Sequence, residues 1–266
     1  VGLERMATRI KVHGREIGLG AHPVGLDVDR VQQVLDSEVC QEQITMLRKE
    51  LEGIRVVLSV ERLDYTKGTY AKLLAFEALL EAHPELIGKV SLITICVPAA
   101  REMTIYAELL GQIEQAVGRI NGRFSRVGWT PVQFFYRAVP FDQLVAYYLM
   151  ADVMWITPLR DGLNLVAKEY VATQGLCGGA GVLVLSEFAG AAAELHGALL
   201  TNPHDPHDLR DGLYIGLTLG RAEREARLRE LFAVVQHNDI RRWGDEFLQA
   251  VRGVHREVLE HSDEVA

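Results

Sequence analysis

Six short apolar segments recur along the chain, and longer segments with helical spacing of apolar residues separate most of them. They cover residues 56–60, 90–97, 132–136, 153–156, 182–185 and 198–200. Such alternation of strand and helix patterns is typical of a parallel sheet with helices on both faces. The pattern predicts an α/β fold built on a doubly wound parallel sheet.

The two ends of the chain have different patterns. Residues 9–13 and 16–20 predict a pair of short strands, and a turn-rich connector follows at 21–25. We interpret this part as the last piece of a preceding domain. From about residue 205 to 260 the pattern is helical, with Trp243, Phe247 and Val251 on one apolar face.

Composition narrows the class of protein. Hydrophobic residues make up 48% of the chain and the formal net charge is −8, so a sizeable core is expected and a general nucleic-acid surface is not. Cys40, Cys96 and Cys177 are widely spaced, which favours buried thiols in a reducing cytosol over disulfides or a metal site. No apolar run approaches the roughly 20 residues of a membrane helix, and the start lacks a signal-peptide layout. We predict a cytoplasmic protein with no membrane, nucleic-acid or metal partner.

The strongest candidate for a ligand site is the segment 161–169, DGLNLVAKE, which follows the apolar segment 153–156. A glycine-containing loop that opens into a helix presents unpaired backbone N–H groups and the positive end of the helix dipole, where a diphosphate can bind. Asp161 precedes this helix start and Glu169 follows it. Because a carboxylate can accept from two hydroxyls of a sugar or a ribose, the segment predicts a nucleotide-sugar site.

A second candidate loop, residues 62–67, follows the first strand of the predicted sheet. Ligands of such sheets bind at the carboxyl ends of the strands, so this loop and the Asp161 loop are expected on one rim. Arg62 and Lys67 can converge there on a diphosphate. Three structural alternatives stay open: a solvated turn with an internal Arg–Asp pair, Asp161 as the cap of the following helix, and Glu169 as an ion-pair partner of Arg62.

Four longer motifs, in order, resemble the trehalose-6-phosphate synthase family of retaining glycosyltransferases. They are RLDYTKG at 62–68, VGRING at 117–122, TPLRDGLNLVAKEYVA at 157–172 and LSEFAGAA at 185–192. The resemblance implies a GT-B architecture, in which two Rossmann-like domains enclose the active site, and this chain resembles the carboxyl-terminal, donor-binding domain. Residues 27–236 would form that domain, 1–26 the tail end of the amino-terminal acceptor domain and the connector, and 237–266 a helix that packs back toward the acceptor domain.

The resemblance also implies residue roles. Arg62 and Lys67 would hold the donor diphosphate and Asp161 the hydroxyls of the transferred glucose, so these three are the expected catalytic residues. The other expected donor contacts are the backbone of Gly162, Leu163 and Asn164 to the sugar, Leu165 and Val166 to the phosphates, Glu169 to the ribose, and Arg137 beside the base. Retention in this family is explained by front-face attack, with the departing phosphate oxygen taking the acceptor's proton. No side-chain nucleophile, metal or cofactor is therefore expected.

One departure from the family pattern concerns the acceptor. After the second strand the family tends to have Pro-Ser-Arg, whose arginine helps to hold the acceptor's phosphate, whereas residues 98–101 are PAAR. The cation, Arg101, is displaced by one position. This variant is most similar to the glucosylglycerol-phosphate synthase branch, which implies ADP-glucose as donor and glycerol 3-phosphate as acceptor, for osmolyte synthesis.

Two alternatives to that activity remain. One is trehalose-6-phosphate synthesis with glucose 6-phosphate as acceptor, and the other is a non-catalytic regulatory protein that binds a nucleotide-sugar. The expected partners are a nucleotide-sugar donor and a phosphorylated small-molecule acceptor, and a homo-oligomer is left open. Without an amino-terminal domain the chain is expected to bind donor nucleotide but to turn over poorly.

Overall fold

The computed structural model describes residues 9–99 and 104–263, which contain a six-stranded parallel sheet covered by helices. The strands are β1 (Arg9–Val12), β2 (Arg15–Gly18), β3 (Arg55–Arg62), β4 (Val90–Val97), β5 (Val132–Tyr136), β6 (Val153–Ile156), β7 (Val182–Ser186) and β8 (Leu199–Thr201). The α-helices are α1 (Val28–Leu35), α2 (Glu38–Glu50), α3 (Thr69–Ala82), α4 (Thr104–Phe124), α5 (Phe141–Met150), α6 (Leu165–Leu176), α7 (Pro206–Thr218), α8 (Arg221–His237) and α9 (Ile240–Asp263). All six predicted core strands are confirmed, with ends that differ by at most two residues.

The order of strands in the sheet is β5-β4-β3-β6-β7-β8. The chain builds outward from β3 through β4 to β5, then returns to the other side of β3 and continues outward from β6. All neighbouring strands are parallel, so their carboxyl ends share one edge of the sheet. The prediction of a doubly wound sheet is confirmed, and its topological switch point lies between β3 and β6.

Two apolar cores cover the two faces of this sheet. Successive residues of a strand point to opposite faces; in β6, Met154 belongs to one core and Trp155 to the other. Helices α1, α2, α5, α6 and α8 contribute buried residues to the first core, and α3, α4 and α7 to the second. Because β3, β6 and β7 are buried on both faces, they contain the near-continuous apolar runs of the sequence.

The ends of the described chain also largely follow the predicted pattern. The strands β1 and β2 pair antiparallel across a turn in which His13 and Gly14 both have positive φ. The helical tail consists of α7, α8 and α9. Short breaks separate these helices, at Gly220 between α7 and α8 and at Asp239 between α8 and α9. In the part of the chain that the structure describes, no helix combines the length and apolar character needed to cross a bilayer.

The prediction that all cysteines are buried is wrong at one position. Cys40 and Cys96 are buried, but Cys177 is exposed. Cys177 follows the last residue of α6 as its C-cap, so it lies outside the packed part of the helix.

Candidate functional site

The loops that follow β3 and β6 flank the switch point of the sheet. These strands are hydrogen-bonded neighbours, although β4 and β5 come between them in the sequence. In doubly wound sheets the reversal of strand order leaves a crevice at the carboxyl edge, where ligands bind. Residues 62–67 and 161–164, the two loops selected from the sequence, both border this crevice.

Backbone hydrogen bonds fix these loops to each other and to the loop after β7. The N–H of Leu159 donates to Thr66 O at 2.7 Å, and the N–H of Gly190 donates to Asp161 O at 2.9 Å. A Cβ atom on Gly190 would lie 2.2 Å from the carbonyl oxygen of Gly162, so only glycine permits this approach. The path of the loop after β6 is therefore set largely by main-chain contacts.

Lys67 and Asp161 form an ion pair across the crevice. The Nζ atom of Lys67 donates to Oδ2 of Asp161 at 2.6 Å, and the two side chains are 15% and 16% exposed. Burial alone would raise the pKa of Asp161, but the hydrogen bond and charge of Lys67, with donors from Asn164 and Leu163, lower it below the usual value. Asp161 is thus an anion at neutral pH, directly beside a cation.

The start of α6 depends on Asn164. This residue has φ of 79°, in the left-handed region that asparagine tolerates better than most residues. Its side chain accepts from the N–H of Ala167 at 3.0 Å, the typical N-cap interaction, and donates to Asp161 at 3.1 Å. The alternative in which Asp161 caps this helix is therefore wrong.

Leu165 and Val166 occupy the first two positions of α6 and are half-buried. The first N–H groups of an α-helix have no acceptor within the helix and carry the positive end of its dipole. Gly162, nearby in the loop, is exposed and has open space where a side chain would be. With Lys67 close by, this end of α6 can accept a phosphate group.

Glu169 lies one turn further along α6 and is half-buried. Its Oε2 atom accepts from the hydroxyl of Tyr148, on α5, at 2.8 Å. Burial raises the pKa of Glu169, although the Tyr148 hydrogen bond and the charge of Arg30 oppose this effect. The alternative in which Glu169 pairs with Arg62 is not found: the structure gives Glu169 a tyrosine partner instead.

The three remaining cationic candidates differ in their placement. Arg62 is the last residue of β3 and is exposed. Arg137 follows β5, which is the edge strand two places from β3, and its guanidinium lies 5.5 Å from the centre of the Phe135 ring. Within the described residues, no hydrogen bond or ion pair joins Arg137 to Lys67 or Asp161. Arg101 lies outside the described residues.

A buried lysine on α6 was missed by the sequence argument. The Nζ atom of Lys168 lies 2.8 Å from Val24 O in the connector and 2.8 Å from Oε1 of Glu194, and the side chain is 1% exposed. Glu194 also accepts from the side chain of Asn238, between α8 and α9. The one sequence signal was a cation in a helix that is otherwise mostly apolar. The hydroxyl contact of Tyr148 had no such signal, since a tyrosine among apolar residues predicts only packing.

No group of three or more His, Cys, Asp or Glu side chains that could hold a metal ion occurs within residues 9–99 and 104–263. His204 and His207, the closest pair in sequence to a metal motif, lie beside Asp205, whose side chain caps α7.

Comparison with known proteins identifies the family. The model of glycosyltransferase family 20 matches residues 1–253. The chain belongs to glycosyltransferase family 20. This match confirms the family resemblance that the four motifs indicated.

Relatives of this family 20 chain include a glucosylglycerol-phosphate synthase of Pseudomonas anguilliseptica, which is 67% identical over 251 residues, or 94% of this chain. A crystal structure of the α,α-trehalose 6-phosphate synthase from Burkholderia multivorans has a TM-score of 0.89 and 42% identity over 96% of this chain. An E. coli structure described as "Trehalose-6-phosphate from E. coli bound with UDP-2-fluoro glucose" has a TM-score of 0.86 and 37% identity over 92% of this chain. The Rossmann-like α/β fold expected of a GT-B glycosyltransferase is confirmed by these similarities.

The family 20 chain is much shorter than these relatives. It spans 33% of the Pseudomonas protein and 54% of each of the two solved chains. The chain, with its crevice, therefore matches only one part of each of these longer relatives.

Proposed function

We propose that this protein is a retaining glucosyltransferase that moves glucose from ADP-glucose to glycerol 3-phosphate and forms glucosylglycerol phosphate. The observation that carries the proposal is the Lys67–Asp161 pair beside the start of α6 at the switch point of the sheet. It sets a cation suited to a diphosphate within hydrogen-bond distance of a carboxylate suited to sugar hydroxyls. Membership of glycosyltransferase family 20 supports glycosyl transfer as the reaction.

In the proposed donor complex, the diphosphate binds between Lys67, Arg62 and the first N–H groups of α6. Asp161 accepts hydrogen bonds from the glucose hydroxyls, and the backbone of 162–164 borders the sugar. Glu169 accepts from the ribose, one turn along α6. The order of these groups along one loop and one helix matches the order of sugar, phosphates and ribose in a nucleoside diphosphate glucose.

The proposed reaction needs no side-chain nucleophile. The bond between C1 of glucose and the diphosphate oxygen breaks with its electrons on that oxygen, and the acceptor hydroxyl attacks C1 from the same face. The departing oxygen takes the acceptor's proton, so the configuration at C1 is retained. Lys67 and Arg62 would then act by stabilising the negative charge that develops on the leaving group, which is often the largest single contribution to catalysis.

The choice of acceptor rests on the relatives. This chain is 67% identical to a glucosylglycerol-phosphate synthase and 42% and 37% identical to the two solved trehalose-phosphate synthase structures. Arg101 is the proposed contact to the acceptor's phosphate, and Arg137 is proposed to border the nucleotide base. We further propose that residues 27–236 are the donor domain and that an amino-terminal domain completes the acceptor pocket.

A competition assay tests the proposal. The full-length protein is given ADP-glucose together with equal concentrations of glycerol 3-phosphate and glucose 6-phosphate, and the products are identified by mass spectrometry. A glucosylglycerol phosphate product supports the proposal, whereas a disaccharide phosphate assigns the protein to trehalose-6-phosphate synthesis. Repeating the assay with UDP-glucose and GDP-glucose tests the base of the donor.

A third result would point to the regulatory alternative. If ADP-glucose binds to the full-length protein in calorimetry but neither acceptor is glucosylated, the crevice serves to bind a nucleotide-sugar without transfer. Asp161→Asn is the control for that case. If the crevice recognises the sugar through Asp161, the affinity of this variant for ADP-glucose should be lower than that of wild type.

A further inference from the structure

We propose that Tyr148 is a positioning residue that holds Glu169 toward the nucleotide ribose and thereby sets a preference for ribonucleotide donors. This inference rests on the proposed function, in which Glu169 accepts hydrogen bonds from the ribose. It concerns how the carboxylate is held in place, which neither the family motifs nor the sequence pattern indicates.

Tyr148 is fixed from both ends by α6. Its hydroxyl donates to Oε2 of Glu169 at 2.8 Å, and its main-chain carbonyl accepts from Nε2 of Gln174 at 2.8 Å. The ring is fully buried and meets the ring of Tyr170 edge to face, with centroids 6.5 Å apart and planes at 78°. A side chain held in this way offers its hydroxyl at one fixed point beside Glu169.

The two oxygens of the Glu169 carboxylate differ in their partners. The hydroxyl of Tyr148 occupies Oε2, and within the described residues Oε1 accepts no hydrogen bond. A hydrogen bond to an ionised carboxylate is stronger than one between neutral groups. The hydrogen bond from Tyr148 fixes the plane of the Glu169 carboxylate before a ligand arrives. Oε1 can then accept from a ribose hydroxyl without a further loss of side-chain freedom.

The charges around Glu169 make the Tyr148 hydroxyl more important. Arg30 of α1 is the charged group that acts on Glu169 from a neighbouring helix, and it is exposed, with its guanidinium over the Phe141 ring at 5.3 Å. Tyr148 supplies the only described direct donor to the carboxylate. Without it, Glu169 would remain half-buried, and an exposed, solvent-screened cation would be its main support.

A purely structural role for Tyr148 makes a different prediction. If the ring only fills space between α5 and α6, phenylalanine would serve equally well for ligand recognition, because Gln174 ties the end of α5 to α6 independently of the hydroxyl. Tyr170 provides the matched control: it is also fully buried, and its hydroxyl donates to the main-chain carbonyl of Ala151 at 3.1 Å, away from Glu169.

The test measures binding of ADP, 2′-deoxy-ADP and 3′-deoxy-ADP to the full-length protein by calorimetry. We expect wild type to bind ADP at least about 10-fold more tightly than one of the deoxy analogues, as for the loss of a hydrogen bond to a charged group. In Tyr148→Phe the affinity for ADP should fall while that for the deoxy analogue changes little. The ratio of the affinity for ADP to that for the deoxy analogue, called here the ribose ratio, should therefore drop below about 3-fold. In Tyr170→Phe the ratio should stay as in wild type.

A second pair of variants protects the test against loss of packing. Tyr148→p-fluorophenylalanine fills the space of the hydroxyl without a donor, and Tyr148→p-aminophenylalanine restores an N–H donor on the same ring. The ribose ratio should be low in the p-fluorophenylalanine variant and close to that of wild type in the p-aminophenylalanine variant. Equal ratios in these two variants would overturn the inference even if Tyr148→Phe does not fold.

The outcomes separate the inference from the proposed function. If the ribose ratio of Tyr148→Phe equals that of wild type, the role of Tyr148 is overturned, but the ribose contact of Glu169 is left intact. If wild type itself does not discriminate between ADP and the deoxy analogues, both the ribose contact and the inference are wrong. If ADP, and UDP titrated in the same way as a control, both fail to bind, the proposed donor site is wrong as well.

Discussion

Nζ of Lys67 and Oδ2 of Asp161 lie 2.6 Å apart, although 94 residues separate them in the sequence. The pair links the loop after β3 to the loop after β6 at the point where the strand order reverses. Each charge therefore has a partner before any ligand is bound, which lowers the cost of holding both groups in a crevice that is mostly shielded from water. The proposed nucleotide-sugar donor would bring a diphosphate for Lys67 and hydroxyl groups for Asp161 at once.

Asp161→Asn should separate sugar recognition from nucleotide recognition. The amide keeps the size of the side chain but removes its charge, so hydroxyl donors of the glucose lose a strong acceptor. We expect the affinity for ADP-glucose to fall by about 10-fold or more, and the affinity for ADP to change little. Calorimetry with both ligands measures this difference. Equal losses for the two ligands would show that Asp161 supports the loop rather than the sugar.

Arg62→Ala should lower turnover with little effect on folding. Arg62 is exposed at the end of β3, so its removal leaves no buried group unpaired. In the proposed reaction it stabilises charge on the leaving diphosphate, and loss of one such contact typically lowers kcat by about 10²–10³. Steady-state kinetics measures the effect, and Lys89→Ala, just before β4 at the opposite edge of the sheet, is the control. Unchanged kcat in Arg62→Ala would remove Arg62 from the proposed reaction.

The stability contributed by Asp161 should depend on pH in a defined direction. Its pKa is lower in the folded protein than the usual value of about 3.9. A lowered pKa stabilises the folded state at pH values above the unfolded pKa, and this contribution disappears as the pH falls through the folded pKa. The difference in free energy of unfolding between wild type and Asp161→Asn should therefore be constant from pH 7 to about 5 and shrink below about pH 4.

Urea unfolding of both proteins at several pH values measures this difference. The raised pKa of Glu169 affects stability in the opposite direction, but Glu169 is present in both proteins and its effect cancels. A difference that grows as the pH falls would contradict the assignment of the Lys67 pair as the main support of the Asp161 anion.

Lys168→Met should destabilise the protein strongly. The methionine fills a similar volume but leaves the carboxylate of Glu194, which is 11% exposed, without its cation, and Val24 O without its donor. Removal of one partner from a buried pair typically costs about 3–5 kcal/mol. Urea unfolding measures the loss, with Lys89→Met as the control at a less buried site. A loss below about 1 kcal/mol would place Lys168 among ordinary surface pairs.

Much of the fold could be predicted from the sequence because its strands are buried on both faces. Segments such as 153–156 are wholly apolar and short, and the polar loops after them end each strand clearly. The order of the strands could not be derived in this way, since it depends on contacts between distant segments. The exposed thiol of Cys177 was mispredicted because the sequence does not show whether a residue lies just inside or just outside a helix end.

The candidate site was partly predictable for the same reason. Asp161 and Lys67 lie in loops that follow predicted strands, and parallel strands bring such loops to one edge. The partner of Glu169 was not predictable, because Tyr148 belongs to the apolar pattern of α5 and its hydroxyl reaches α6 only through the packing of the two helices. The positive φ of Asn164 was equally hidden, since any loop asparagine has the same sequence pattern.

The main-chain bonds between the crevice loops have an evolutionary consequence. Leu159 is tied to Thr66, and Gly190 to Asp161, by atoms that every non-proline residue possesses. Substitution of most side chains on these loops therefore leaves the frame in place, while it changes the groups that a substrate meets. The groups that line this crevice can therefore differ between related chains while the loops that carry them keep the same path.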